Sequence, residues 1–523
     1  MVRASCATLV LILASGLRGL APCAAQSPRS AADLFQVDPG YSEAGALIEP
    51  IDAARLERAA FLASGVAPSG IEAYAAELDG ALAPIQAELA STDSAGDQAA
   101  EAILGILHKS ILRNYREDAS TLDGILDTGF YNCVSSAVVY AIAAKEAGIP
   151  VAGVRTADHA FCTVHVGGRS VDVETTNPYG YDPGGKKEFK DSFGRVTGFA
   201  YVAPGGYGDR KAIGAGDLVG LILSNRASSL ERSGRFAEAE RLGADYAFLC
   251  PGPDSRSFLV DRIYNLVADM EARRDYDDAA RVAEEAAAGL PGEARLAALV
   301  RKAEYNRAAS LAQAGDWAGS FDAAAALAAA APADAEAAAL VGSSLSGLAE
   351  LMAQKGDFAG ARKAVAERAA RAGPAAAAAA YAAVGETELV KAVNELPFSE
   401  AAPIADRIFA AGEVGASRYA QAIAAIYGNE AGRIGARGAW LEAAALADGG
   451  VAKLAAARIA DDGSLARLAR ESRRNFVVEA HNSFAKLYNA GDLEGAKKAL
   501  LTALAAMPGD PTLRRDLADM EAR

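Results

Sequence analysis

Aromatic side chains are scarce in this chain: only 7% of its 523 residues are Phe, Tyr or Trp, although 51% are hydrophobic by type. Alanine makes up much of the difference. It forms helices better than any other residue and adds little buried area per residue, so many closely packed helices are predicted. Positive charge is also short. A formal charge of −15 with no Lys/Arg cluster argues against a basic footprint for nucleic acid. No stretch downstream of the N-terminus is long and apolar enough for a membrane helix. Five cysteines without a Cys-x-x-Cys pair are too few for a disulfide scaffold and lack the usual dithiol redox motif.

What is present begins with an export signal over residues 1–25. Arg3 is followed by an apolar run from Ala7 to Leu17, then by small residues in Ala21-Pro22-Cys23-Ala24-Ala25. This predicts a protein exported to a periplasm or the extracellular space. The bland alternative is a short apolar helix. A lipid anchor at Cys23 ranks second, because Pro22 stands where a small residue is needed. Cleavage leaves Cys133, Cys162 and Cys250, an odd number that argues for a free thiol. A Cys162–Cys250 disulfide with Cys133 free is compatible with this count.

Residues 26–96 read as a helical segment punctuated by Pro39-Gly40, Pro50 and Pro68. The clearest early helix is Asp97 to Tyr115, where Ile103, Ile106, Leu107 and Ile111 share a face. A second helix pattern runs from Asn132 to Lys145 and stops at Gly148-Ile149-Pro150. Three short β-branched strands follow, Val151–Val154, Phe161–Val166 and Ser170–Val173, the last two joined by Gly167-Gly168. A loop rich in Gly, Pro and Tyr then extends from Asn177 to Gly214. Residues 97–214 are therefore predicted to be an α+β domain of helices and a short antiparallel sheet.

From 215 to 523 strand signals vanish and a helical repeat emerges, predicting an all-α solenoid. Corners at Gly234-Arg235-Phe236, Arg274-Asp275-Tyr276, Gly315-Asp316-Trp317 and Gly356-Asp357-Phe358 lie 40, 41 and 41 residues apart, with another at Gly491-Asp492-Leu493. Five residues after each corner's start comes Ala239, Ala279, Ser320, Ala361 or Ala496. Seventeen after it comes Pro251, Pro291, Pro332, Gly373-Pro374 or Pro508. A helix–helix turn, a small residue at the close approach and a helix stop account for that pattern. The register is lost over 375–474. These copies resemble the tetratricopeptide repeat, with a period longer than its usual 34 or so residues. The resemblance implies a protein or peptide partner.

One stretch carries chemistry. Cys133 opens a helix, where the N-terminus favours thiolate; His159 sits at a strand start, and acids follow on the next strand. Taken singly, each residue has a structural explanation; their order is that of an activated thiol. If Gly167-Gly168 is a two-residue hairpin, Val166 faces Arg169, Thr163 faces Asp172 and Phe161 faces Glu174. Alternation then puts His159, Asp172 and Glu174 on one face, with Glu174 one diagonal step from His159 and Asp172 two. Glu174 is the predicted acid, and Asp172 the alternative if the turn is bulged. The Cys133 backbone N–H is one oxyanion donor, with Asn132 a second candidate. A zinc site from Cys133, His159, Cys162 and His165 is disfavoured, since Cys162 faces the other way and His165 lies about 20 Å along the strand. No metal and no cofactor are predicted. His108 and His481 read as structural or exposed.

These residues resemble the transglutaminase-like superfamily, which includes thiol peptidases, amidases and inactive relatives. The resemblance spans Leu107 to Tyr181 and rests on Asn132-Cys133, Ala147-Gly148-Ile149-Pro150, His159-Ala160-Phe161 and Val173-Glu174-Thr175-Thr176. It implies a papain/transglutaminase-like core with Cys133 as nucleophile, His159 as base and Glu174 as the orienting acid. Glu174 departs from the family, where Asp is usual. Two functions are compatible with these residues. One is an exported enzyme acting on a peptide or protein amide through a Cys133 thioester. The other is a non-catalytic scaffold mediating protein–protein interaction in the cell envelope.

Overall fold

The computed structural model describes residues 34–91, 96–184, 186–198, 209–460 and 462–522. The expected signal peptide and Cys23 lie outside them. The chain is predominantly helical, with small sheets confined to its first half. By compactness it forms two units, Met1–Ala303 and Glu304–Arg523. The change of texture at Gly214 falls inside the first.

In the first unit, one hydrophobic core runs from Tyr41 to Cys250. At its centre is the Cys133–Glu146 helix, in which every residue from Val134 to Ala144 is buried. A helix apolar all round must be enclosed, and this one packs against the Ala53–Ser64, Asp97–Ser110 and Ala215–Arg232 helices and against the sheet. Asn132 caps it and Gly148, at φ 69°, turns the chain out of it.

The strands are β1 (Asn114–Tyr115), β2 (Phe130–Tyr131), β3 (Val151–Arg155), β4 (Ala160–Val166), β5 (Arg169–Val173) and β6 (Lys211–Ile213). The last four form an antiparallel sheet of order β5-β4-β3-β6. Gly167 and Gly168 both take positive φ, as a two-residue hairpin requires. The register is Val166↔Arg169, Thr163↔Asp172 and Cys162↔Val173.

Two features depart from expectation, and a pairing left open by the sequence is resolved. The Asp97 helix ends at Ser110 rather than running on to Tyr115, because Asn114–Tyr115 pairs in parallel with Phe130–Tyr131. Strand β6 and a helix, Lys187–Thr197, occupy parts of the segment read as loop. That helix buries Phe189 and Phe193, one turn apart on an otherwise polar sequence. Finally, no Cys162–Cys250 disulfide forms. Both thiols are free and buried, donating to the Ala137 and Gly216 carbonyls respectively.

The repeat corners are turns between paired helices. Gly234, Gly315, Gly356 and Gly491 take φ of 77°, 83°, 83° and 83°, and Arg274 takes 68°. Asp316, Asp357 and Asp492 cap the second helix, accepting from the N–H groups of Gly319, Gly360 and Gly495 at 2.9 Å. The small positions Ala239, Ala279, Ser320, Ala361 and Ala496 are fully buried. Ser320 is tolerated because its hydroxyl pairs with that of Ser344 at 2.7 Å.

In the second unit the pairing continues through 375–474. Pro374–Glu395 is followed by Phe398–Ala410, and Ala416–Gly435 by Trp440–Ala456. The corners are Leu396-Pro397-Phe398 and Gly438-Ala439-Trp440, and Ala401 and Ala443 fill the small buried position. Leu396 lies 40 residues after Gly356, and Gly438 lies 42 after Leu396. Neither corner carries a capping aspartate, and Leu396 stands where the other corners have glycine or arginine.

Candidate functional site

Two pieces of backbone are brought together by the sheet and the central helix. Cys133 is the first residue of the helix and is half-buried. Asn132 holds the helix start: its Oδ1 accepts from the Val134 and Ser135 N–H groups at 2.9 and 3.1 Å. Its Nδ2 donates to the Glu117 carbonyl at 2.9 Å and to Ser120 Oγ at 2.7 Å. Its backbone N–H donates to Ser135 Oγ at 3.0 Å. Every polar hydrogen of Asn132 is therefore committed, which leaves it no donor for an oxyanion. The Cys133 N–H, at the first helical position, has no intrahelical acceptor.

His159 closes the β3–β4 hairpin. Its N–H donates to Thr156 Oγ1 at 3.1 Å and its carbonyl accepts from the Thr156 N–H at 2.9 Å, which fixes its direction. Its Nε2 lies 2.6 Å from Glu174 Oε2, and its ring shares a cleft with Cys133, whose side chain acts on its titration. With Nε2 facing Glu174, Nδ1 is the nitrogen left for the thiol. Phe161 and Phe193 flank the ring, with centroids 6.0 and 6.3 Å away. Burial by itself pushes the imidazolium pKa down. The Glu174 charge, hydrogen bonds to Cys133 and Glu174, and the Cys133 charge outweigh it and raise the pKa to about 11.

Glu174 leaves the sheet immediately after β5, and a short loop shapes its setting. Glu174 Oε1 accepts from the Thr176 N–H at 3.2 Å and the Thr176 hydroxyl at 2.7 Å. Its own N–H donates to the Gly180 carbonyl at 2.8 Å. A Cβ at Gly180 would stand 1.9 Å from the Glu174 carbonyl oxygen, so only glycine fits there. Thr175 Oγ1 meets Ser136 Oγ at 2.9 Å, and the Tyr131 hydroxyl donates to the Thr176 carbonyl at 3.0 Å.

Asp172 is engaged elsewhere. Thr163 Oγ1 donates to it at 2.7 Å, and Arg210 clamps it with two bonds of 2.8 and 2.6 Å. Of the two acids, the structure sets Glu174 against His159. Cys162 points into the core, and His165 is exposed beside Ser170 Oγ at 3.0 Å; neither joins Cys133.

Several supporting residues carry no sequence signal of their own. His108 Nε2 lies 3.0 Å from the Thr175 carbonyl, and burial lowers the pKa of this histidine to about 4. Asn225, on the Ala215–Arg232 helix, donates to Ser120 Oγ at 2.9 Å, so Ser120 accepts from Asn225 and Asn132 together. The same helix supplies Ser224, Ser228, Ser229 and Arg232 to one wall of a cleft of about 850 Å³ that opens on Cys133 and His159. The first repeat helix thus helps to form the space into which the thiol faces. His481 is remote in sequence and bonds Asp516 at 2.6 Å.

No family model matches this chain, and no curated protein does. Among solved structures it is similar to a tetratricopeptide repeat protein from Parabacteroides merdae ATCC 43184. That match has 12% identity, covers 58% of this chain and 98% of the other, and has a TM-score of 0.19.

Proposed function

We propose that this protein is a helical-repeat scaffold for protein or peptide binding that carries a transglutaminase-like thiol site, exported by its N-terminal segment. The observation that supports the site is His159 bonded to Glu174 through Nε2 and lining one cleft with Cys133. In this reading the Cys133 sulfur attacks the carbonyl carbon of a carboxamide or peptide bond. The oxygen becomes an anion facing the Cys133 N–H, and His159 gives its proton to the departing nitrogen as the C–N bond breaks. Water or an amine then attacks the thioester; His159 takes the nucleophile's proton and returns Cys133. Glu174 keeps the imidazole oriented and balances its charge. The polar wall of Ser224, Asn225, Ser228 and Ser229 suits a peptide backbone.

A second reading, a non-catalytic scaffold, is favoured by the persistence of paired helices from Ala215 to Ala506. One measurement separates the two: the rate of Cys133 alkylation by iodoacetamide against pH, in the parent and in His159→Ala. An imidazole-paired thiol reacts well below the free-thiol range near about 8.5 and loses that advantage in the variant. Ordinary, superimposable profiles would leave only the scaffold.

A further inference from the structure

We propose that Glu57, Asp79 and Glu146 form a calcium site that ties together three helices of the first unit, at the opposite end of the Cys133 helix from the thiol. The residues come from the Ala53–Ser64, Ile71–Ser91 and Cys133–Glu146 helices, and each offers a carboxylate oxygen within 4.8 Å of the other two. Glu57 is 7% exposed, and its buried Oε1 has no hydrogen-bond partner among the described residues. A buried carboxylate oxygen without a donor is costly, and two further carboxylates beside it increase the cost.

The adjacent lysine does not neutralise the cluster. Lys145, next to Glu146, turns to Glu49 at 3.2 Å and to the Ile51 carbonyl at 2.9 Å. Burial first, then the charges of Asp79 and Glu146, raise the Glu57 pKa to about 7, and burial and Asp79 raise that of Glu146. Glu146 also ends its helix, where unpaired carbonyls add partial negative charge.

The donor set selects the ion. Three oxygens with no nitrogen or sulfur suit a hard divalent cation. Calcium accepts mono- or bidentate carboxylates in irregular geometry with oxygens at about 2.3–2.6 Å, whereas magnesium demands near-octahedral ligands at about 2.0–2.1 Å. Ligands drawn from three separate helices, without a dedicated loop, fit calcium better. Asp79 and Glu146 are exposed, leaving one side open for the waters that complete its shell. From Cys133 to Glu146 the helix spans about 20 Å. The ion would therefore act by holding the helix bed in place, and the inference does not depend on the thiol reading.

The test uses the full-length protein, stripped with EDTA and then titrated with CaCl₂ or MgCl₂ while thermal unfolding and calorimetric binding are followed. Calcium at 1 mM should raise the unfolding midpoint by several degrees with one-to-one saturation, and magnesium at the same concentration by much less. Glu146→Gln and Asp79→Asn, both at exposed positions, should fold and lose the response. No calcium response in the parent, or one retained in both variants, would overturn the site. A parent indifferent to calcium whose Glu146→Gln variant melts higher would show carboxylates sharing a proton instead. Equal responses to calcium and magnesium would overturn the choice of ion.

Discussion

His159 Nε2 and Glu174 Oε2 stand 2.6 Å apart, although the two residues lie at the far ends of a hairpin and neither is paired in its ladder. The contact follows from the register: with Cys162 opposite Val173, His159 and Glu174 emerge on one face just beyond the last rung. Glu174→Gln should lower the alkylation rate of Cys133 at pH 6 by about a hundredfold, the low end of what proton-handling groups contribute. Glu174→Asp, one methylene shorter, should recover part of that loss. Asp172→Asn should change nothing, since Asp172 faces Arg210. Equal losses in the Asp172 and Glu174 variants would sink the assignment.

Asn132→Ala should destabilise the protein by about 2 kcal/mol. The variant removes a helix cap and leaves the Val134 and Ser135 N–H groups without their acceptor. Urea unfolding measures this directly. Asn225→Ala, which removes only one of the two donors to Ser120, should cost less; a larger cost than Asn132→Ala would show that the cap is not the main role of this network.

Stability between pH 4 and 6.5 should carry the signature of His108. Its folded-state pKa is lowered to about 4, while the unfolded chain takes up the proton near 6.5. Above 6.5 both states are neutral. As pH falls from 6.5 towards 4 the unfolded state binds the proton first, and stability drops. Glu57 titrates in part of this window with opposite sign, so the useful quantity is the parent-minus-His108→Gln difference, in which Glu57 cancels. That difference should shrink on acidification; a flat line from pH 7 to 4 contradicts the assignment.

Ala443→Leu tests the repeat copy that its sequence conceals. Ala443 is fully buried where the Ala416–Gly435 and Trp440–Ala456 helices meet. A leucine there should cost about 1–3 kcal/mol by overpacking. Substitution of the exposed Glu442 should cost little. A neutral Ala443→Leu result would mean that the helices at this corner are not closely packed.

The sequence alone determined the elements whose causes are local. Alanine content and corner spacing pointed to paired helices, Gly167-Gly168 set the hairpin register, and the Asn132-Cys133 start and Gly148-Ile149-Pro150 stop bounded the central helix. These follow from backbone preference and side-chain period, which act over a few residues. Tertiary structure alone decided what depends on distant partners. Arg210 claims Asp172 from 38 residues away, and the Gly180 loop turns Glu174 to the imidazole. Asn225 reaches Ser120 across 105 residues of sequence. Two-residue strands at Asn114 and Phe130 exist only because they find each other, and Glu57, Asp79 and Glu146 converge only because three helices cross. No local pattern encodes such meetings; they are set by which buried faces pack together.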